Sequence, residues 1–520
     1  MPLYDRSKAR RSLFDTITYR LASQLATVLG YIVLVRAMNK EDFGVFNLLY
    51  SFIPLVGTVA SLGLEQTLRR YQPEYLRTGS VEGAAWLVKR VAALRLGTNL
   101  LVLAVVLIVW NRVAPHFDLG PYRTIFAIFC VLILLHFQTQ ILQLTMAAHM
   151  LHRYSVGSVA LLSFGKLISY SALALAGAMT LRTVIYADTA AYIVIYVFLR
   201  VMYARHSAAT VSTNFRPTPA ERKRLLRYGL FNNFNDAGTL FLDSRIDNFF
   251  IAAFMNPVAV GIYSFYVRLN EMAINVLPGR LFDNIIQPMF FAVKPAEADL
   301  RLPQYFTFLL NTNLLVLWPV FAFSAAYHAE IVHVVFGGKY IAQSWLLTII
   351  LGFALINGFS TPVALVAQYE EKPHIQLLSK VFAIYNVIAL LVLIPYMGIY
   401  GAALAIGSSQ ILKNSFVWWH VRRRAVWVNA AAAMMSSIFL WGMTIAVCLG
   451  LKALIRGPAL VHLLLGLIVF ACAALLSVRG PMLCYSDRDL LLRLFQGKEV
   501  RMLRVLGLLN ASTASSPGAR

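Results

Sequence analysis

An apolar stretch at residues 229–253 carries Asn232, Asp236, Thr239, Asp243 and Asp247, spaced i, i+4, i+7, i+11 and i+15. Read as one helix, that spacing puts all five on a single face, with Arg245 and Asn248 flanking it. Asp243 and Asp247 lie one turn apart, so they can share a proton, one being held protonated by the other's charge. The next apolar stretch repeats the pattern with Ser264, Arg268, Glu271 and Asn275, and Arg268 can pair with Glu271 three residues on. Arg280 and Asp283 allow a second such pair further along. Near the start of the chain, Thr16, Tyr19, Arg20, Ser23 and Thr27 make a third polar stripe. No acid lies at helical spacing from Arg20 within its apolar stretch; Asp15 sits five residues earlier. A guanidinium grips phosphate oxygens through two parallel hydrogen bonds, so Arg20, Arg245 and Arg268 suit an anionic headgroup. Arg20, Arg245, Arg268, Glu271 and Asn275 are the expected binding residues, and Asp243 and Asp247 the expected carriers of a coupling charge. Two accounts of these stripes stand side by side. They line a water-filled cavity, or they are packed between neighbouring helices with their polar groups paired internally.

Other polar residues read as structural. Arg95, Lys166 and Lys380 lie within or at the ends of apolar stretches, where a long cationic side chain can snorkel to an interface. His136, Gln140 and Gln143 suit hydrogen bonds between helices. Enzyme motifs are missing: Phe164-Gly165-Lys166-Leu167 lacks the rest of a phosphate-binding loop, and neither HExxH nor GxSxG occurs. Cys130, Cys448, Cys472 and Cys484 are scattered with no CxxC spacing, so no disulfide framework, zinc site or other metal site is expected. The expectation is a protein that is not an enzyme and carries no cofactor.

The elements that hold these residues are set by composition. Hydrophobic residues make up 59% of the 520-residue chain and charged residues only 13%. Stretches of about twenty apolar residues, each long enough to cross a ~30 Å hydrocarbon core as a helix, follow one another with short connections. Spans are expected near 13–35, 44–64, 88–110, 123–147, 154–178, 184–203, 229–253, 259–291, 305–327, 344–366, 375–396, 398–418, 428–451 and 459–478. The fold class is therefore an all-α polytopic membrane protein of about fourteen transmembrane helices. The window 259–291 is long for one crossing and contains Pro278 and Pro288, so a tilted or kinked helix that continues past the bilayer is expected. The net charge of +23 is accounted for by cations gathered on the cytoplasmic side rather than by nucleic acid. That bias places both termini in the cytoplasm. The first helix lacks a cleavage pattern and is expected to be retained.

The chain also repeats itself. Met38-Asn39 is followed by Phe43-Gly44-Val45-Phe46, and Met255-Asn256 by Val260-Gly261-Ile262-Tyr263. Both copies fall between the first and second spans of an expected six-span half, and the six spans separating them give the halves the same orientation. The expected organisation is an N-terminal six-helix bundle at 1–203, a cytoplasmic linker at 204–228 and a C-terminal six-helix bundle at 229–420. Two additional helices follow at 421–478, then a cytoplasmic tail at 479–520, amphipathic at first and disordered from Ser512. Two bundles facing each other would enclose a central cleft.

With these motifs the chain resembles the polysaccharide transporter branch of the multidrug/oligosaccharidyl-lipid/polysaccharide flippase superfamily. The resemblance rests on Arg36-Ala-Met-Asn-Lys-Glu-Asp-Phe-Gly44, Gly63-Leu-Glu-Gln-Thr-Leu-Arg-Arg70, Asp243-Ser-Arg-Ile-Asp247 and Val260-Gly-Ile-Tyr-Ser-Phe-Tyr-Val-Arg-Leu269. It covers essentially the whole chain. It implies two six-helix bundles, commonly with two helices added. It also implies movement of undecaprenyl-pyrophosphate-linked oligosaccharide across the bacterial inner membrane by alternating access, for surface polysaccharide biosynthesis. Arg268-Leu-Asn-Glu271 is similar to an Arg-x-x-Glu pair in the eighth span of lipid II flippases, and Arg20 sits where that branch also has a first-span arginine. The implied partners are the lipid-linked oligosaccharide, the bilayer, and a polysaccharide polymerase with its assembly proteins. The alternative is a cation-coupled small-molecule antiporter of the multidrug type, which the arginine content of the cleft disfavours. A membrane-embedded polymerase would need a large external loop, and the longest here, near 111–122, is short.

Overall fold

Apolar runs with few glycines and prolines in their interiors form helices from end to end in the computed structural model, which describes residues 6–207, 215–281, 286–287, 290–291 and 293–479. The helices used below are α1 (Arg6–Ala37), α2 (Lys40–Val59), α3 (Leu64–Arg77), α4 (Val81–Val113), α5 (Arg123–Ala148), α6 (His152–Leu175) and α7 (Leu181–Ser207). They continue with α8 (Pro219–Leu240), α9 (Ser244–Phe254), α10 (Pro257–Asn275), α11 (Ala298–Phe336), α12 (Trp345–Ile356) and α13 (Ser360–Tyr369). Last come α14 (Phe382–Met397), α15 (Ile399–Val421), α16 (Ala430–Leu454) and α17 (Ala459–Arg479). Among the described residues, 11 helical segments are long and apolar enough to cross a membrane. The three other expected spans, 229–253, 259–291 and 398–418, coincide with α8–α9, α10 and α15, which are shorter or more polar. Fourteen crossings are compatible with this arrangement. The tail at 480–520 and Asp283 lie outside the described residues.

By its contacts the chain divides into one unit of Met1–Ser264 with Val387–Ala402, and another of Phe265–Asn386 with Ala403–Arg520. In the first unit α1 runs parallel to α6. A Cβ on Gly30 would lie 3.5 Å from the Leu167 Cα, and Thr27 Oγ1 donates to Ser163 Oγ at 3.1 Å. The second span, expected to run to 64, ends at Val59. Between α2 and α3 the backbone turns at Gly63, whose φ of 69° is left-handed and whose absent side chain lets the Gly229 carbonyl of α8 approach. Arg95 of α4 braces this turn. Its Nε lies 2.7 Å from Glu65 Oε1, its Nη2 donates to the Gly57 carbonyl at 2.9 Å, and its guanidinium stacks 4.2 Å from the Phe137 ring centroid. One turn on, Thr98 Oγ1 donates to the Ala60 carbonyl at 2.7 Å. The carbonyls that α2 leaves open at its end therefore find partners without water, as a membrane interior requires. Arg95 was expected to snorkel. It is instead buried, because Glu65 and the α2 carbonyls satisfy it there.

The sequence repeat is also a structural one. Asn39 caps α2 by accepting from Asp42 N at 2.7 Å, and Asn256 holds the start of α10 by accepting from Ala259 N at 2.9 Å. Each is a side chain reaching the amide three residues on, the usual N-cap geometry.

In the second unit α11 is the central element, with Leu302, Phe306 and Leu309 packed among Phe290, Val363 and Val366. It bends at Tyr327, whose φ of −131° is not helical. The two added helices, α16 and α17, pack there through Trp441, Cys448 and Phe470. Lys452 closes the bend, pairing with Glu330 at 2.6 Å and donating to the Ala326 carbonyl at 3.0 Å. The kink expected within 259–291 falls where α10 ends at Asn275. The next helical turn starts at Pro278, a residue that disfavours a helix before it.

Candidate functional site

The polar face expected on one continuous seventh helix is split. α8 ends at Leu240, the chain turns through Phe241 and Leu242, and Asp243 takes an extended conformation as the cap of α9, accepting from Arg245 N at 2.9 Å. A carboxylate is a favourable cap because it meets the unpaired amides and the positive end of the helix dipole. Asp247 then lies in the first turn of α9, fully buried, and accepts from Tyr263 Oη of α10 at 2.7 Å. The two carboxylates are thus engaged by different groups. An Asp-Ser pair opening a fresh apolar run is the signal for this helix start. Asn248 continues the network, donating to Ser51 Oγ of α2 at 2.8 Å and accepting from Ser264 Oγ at 3.0 Å. Asn232 donates to the Tyr228 carbonyl at 2.8 Å. The Asp236 side chain lies outside the described residues. Arg245 is exposed.

The remaining expected residues separate by partner. Arg268 Nη1 meets Glu271 Oε2 at 2.6 Å, as their spacing predicts, and both side chains are about a third exposed. Asn275 Oδ1 accepts from Arg280 Nη1 at 3.1 Å. Arg20 is partly exposed and makes no ion pair among the described residues.

The most fully assembled polar centre is one the sequence did not single out. Asp188 of α7 is completely buried. Lys166 Nζ of α6 lies 3.0 Å from its Oδ2, Tyr170 Oη donates to Oδ1 at 2.8 Å, and Tyr50 Oη of α2 donates to Oδ2. Lys166 also donates to Tyr50 Oη at 3.1 Å, and its ammonium sits 5.3 Å and 5.4 Å from the Tyr50 and Tyr192 ring centroids. His136 Nδ1 of α5 lies 3.0 Å from Tyr192 Oη. Three helices thus meet at one carboxylate and one ammonium, and α5 reaches them through Tyr192. Lys166 was expected to snorkel. It points inward because Asp188 and two aromatic faces offer a cation more than the interface does. No periodicity joins residues 50, 166 and 188, so only packing reveals them. His136 and Gln143, which donates to Ser158 Oγ at 3.0 Å, make the interhelical bonds expected of them. Among the described residues no group of three or more His, Cys, Asp or Glu could hold a metal.

A family model described as "Polysaccharide biosynthesis protein" matches residues 33–345. The chain is 21% identical over 448 residues to the probable low-salt glycan biosynthesis flippase Agl15 of Haloferax volcanii, a match that covers 84% of this chain and 89% of that protein. Its fold is similar to that of the lipid II flippase MurJ in an inward closed conformation, with a TM-score of 0.65 and 10% identity across 89% of this chain and 99% of that one. It is also similar to an inward-facing multidrug resistance MATE family transporter of the MOP superfamily, with a TM-score of 0.62 and 13% identity, covering 78% and 96%.

Proposed function

Because the chain belongs to the polysaccharide biosynthesis protein family, we propose that it is a flippase that carries lipid-linked oligosaccharide from one leaflet to the other. The observation that carries this reading is the family match itself, which runs through the Lys166–Asp188 centre and both Arg245 and Arg268. Similarity to a probable glycan flippase over most of both chains supports it further. The finer reading is an undecaprenyl-pyrophosphate-linked substrate moved across the cell inner membrane by alternating access, with both termini cytoplasmic. Arg20, Arg245 and Arg268 are proposed to meet the pyrophosphate. Glu271 and Asn275 are proposed to complete the site, with Glu271 offsetting Arg268. Asp243 and Asp247 are proposed to carry coupling charge.

The test is reconstitution. Vesicles holding the purified full-length chain and a fluorescent undecaprenyl-pyrophosphate-linked oligosaccharide should expose inner-leaflet glycan to an impermeant lectin, and empty vesicles should not. A deletion strain should lose surface polysaccharide and accumulate lipid-linked repeat units facing the cytoplasm. No glycan exposure, with efflux of small organic cations instead, would replace this reading by the antiporter.

A further inference from the structure

Two buried ion pairs brace the first unit, and they differ in who can leave. Arg95 and Glu65 have side chains 1% and 10% exposed, and Arg95 is held by two further contacts. In the second pair Asp188 is 0% exposed while the Lys166 side chain is 21% exposed. The carboxylate is sealed, whereas the Lys166 side chain is open over about a fifth of its surface. Lysine is a hydrated point charge on a flexible four-carbon stem, the cation best able to swing to another anion. Asp188 has no such freedom. A carboxylate buried in an apolar interior that loses its only counter-charge is costly enough that it takes up a proton instead.

Resting on the flippase reading, we propose that the Lys166–Asp188 pair exchanges partners when substrate binds. The pyrophosphate draws the Lys166 ammonium away, and Asp188 takes one proton from solvent to replace it. The charges balance: an ammonium–carboxylate pair plus a phosphate anion and a proton become an ammonium–phosphate pair plus a carboxylic acid. Tyr50 and Tyr170, which donate to the carboxylate, can each turn a hydroxyl to accept from the protonated form. The titratable groups facing Asp188 are Tyr50 of α2, Lys166 and Tyr170 of α6, and Tyr192 of α7, with His136 of α5 behind Tyr192. Arg95 and Arg245 act on His136 from further off. Anionic substrate therefore binds together with a proton, and its affinity rises as pH falls, by up to about tenfold per pH unit for one linked proton.

The experiment measures proton uptake by the full-length protein in nanodiscs with farnesyl pyrophosphate as probe. Titration calorimetry in two buffers of different ionisation enthalpy, at about pH 8 where the probe is already ionised, reads the number of protons bound. About one proton per bound probe is expected for the unaltered protein, and none with farnesol, which should not bind at this site. Asp188→Asn should bind the probe without proton uptake. Lys166→Gln with Asp188→Asn removes both buried charges, so it should fold, bind at least tenfold more weakly and take up none. Binding by the unaltered protein without proton uptake overturns the exchange, as does undiminished uptake in either variant. Failure of the unaltered protein to bind farnesyl pyrophosphate overturns instead the pyrophosphate reading on which the exchange rests.

Discussion

Gly44 and Gly261 meet backbone to backbone. A Cβ placed on Gly261 would stand 3.1 Å from both the Cα and the N of Gly44, and one placed on Gly44 would stand 1.8 Å from the Pro257 carbonyl oxygen. These are the glycines of the two copies of the sequence repeat, so each copy is the other's packing partner. Small residues let membrane helices approach until their backbones touch, where van der Waals contact replaces the missing hydrophobic drive.

Substituting Gly44 should therefore be felt more than substituting Gly261. Gly44→Ala drives a methyl into backbone that cannot give, a strain of about 1–3 kcal/mol or more by the scale of overpacked cores. The expected result is a thermal midpoint several degrees lower in detergent, with a smaller drop for Gly261→Ala. Equal midpoints for Gly44→Ala and the unaltered protein would show that the crossing is slack.

Removing Arg95 should cost more than removing an exposed arginine such as Arg245. Arg95→Met strands Glu65 and frees the Gly57 carbonyl, and breaking a buried pair costs about 3–5 kcal/mol. Yield and thermal midpoint should both fall. Adding Glu65→Gln should restore part of the loss, because no charge then remains buried.

Arg20→Ala should abolish polysaccharide export and leave lipid-linked repeat units on the inner leaflet at normal expression. A guanidinium in the bilayer costs at least ~2.5 kcal/mol on insertion scales, and Arg20 has no ion pair among the described residues, so a ligand is the expected partner. Arg20→Lys should recover only part of export, because an ammonium lacks the planar fork. Export at the unaltered level in Arg20→Ala would remove this residue from the site.

Asp247→Asn isolates the second carboxylate. The amide oxygen can still accept from Tyr263 Oη, so the folded protein should survive with an unchanged thermal midpoint. Export should fall if Asp247 carries charge, and unchanged export across a range of pH would leave it a packing residue.

Topology is checked by reporter fusions. Those after Arg112 and Lys339 should report the external side, and those after Arg216 and Arg423 the cytoplasm. Opposite signals at these four sites would overturn the orientation read from the cations.

Periodicity carried the reading far along the helices and poorly across them. Eleven of the expected spans, the repeat and the Arg268–Glu271 pair follow from local sequence pattern, and the structure has them. Asp243 shows the limit: its spacing from Asp247 suits a helix face, yet the chain breaks at Phe241–Leu242 and turns it into a cap. Lys166 and Asp188 show a second limit. Each is a lone charge in its own apolar stretch, and their meeting depends on how α2, α5, α6 and α7 pack. Arg95 was misplaced for the same reason, its partner Glu65 lying beyond an unforeseen turn.

The polarity of α8, α9 and α10 has a consequence for biogenesis. Segments carrying such polar groups gain less from lipid alone, and two of the contacts that receive them are on α2: Ser51 accepts from Asn248, and Gly44 admits the Pro257 carbonyl. Chains emerge from the ribosome N-terminus first, so α2 is already in place when these helices arrive. The order of synthesis delivers the receptor before the guest, so α9 and the start of α10 can meet α2 as they enter the bilayer.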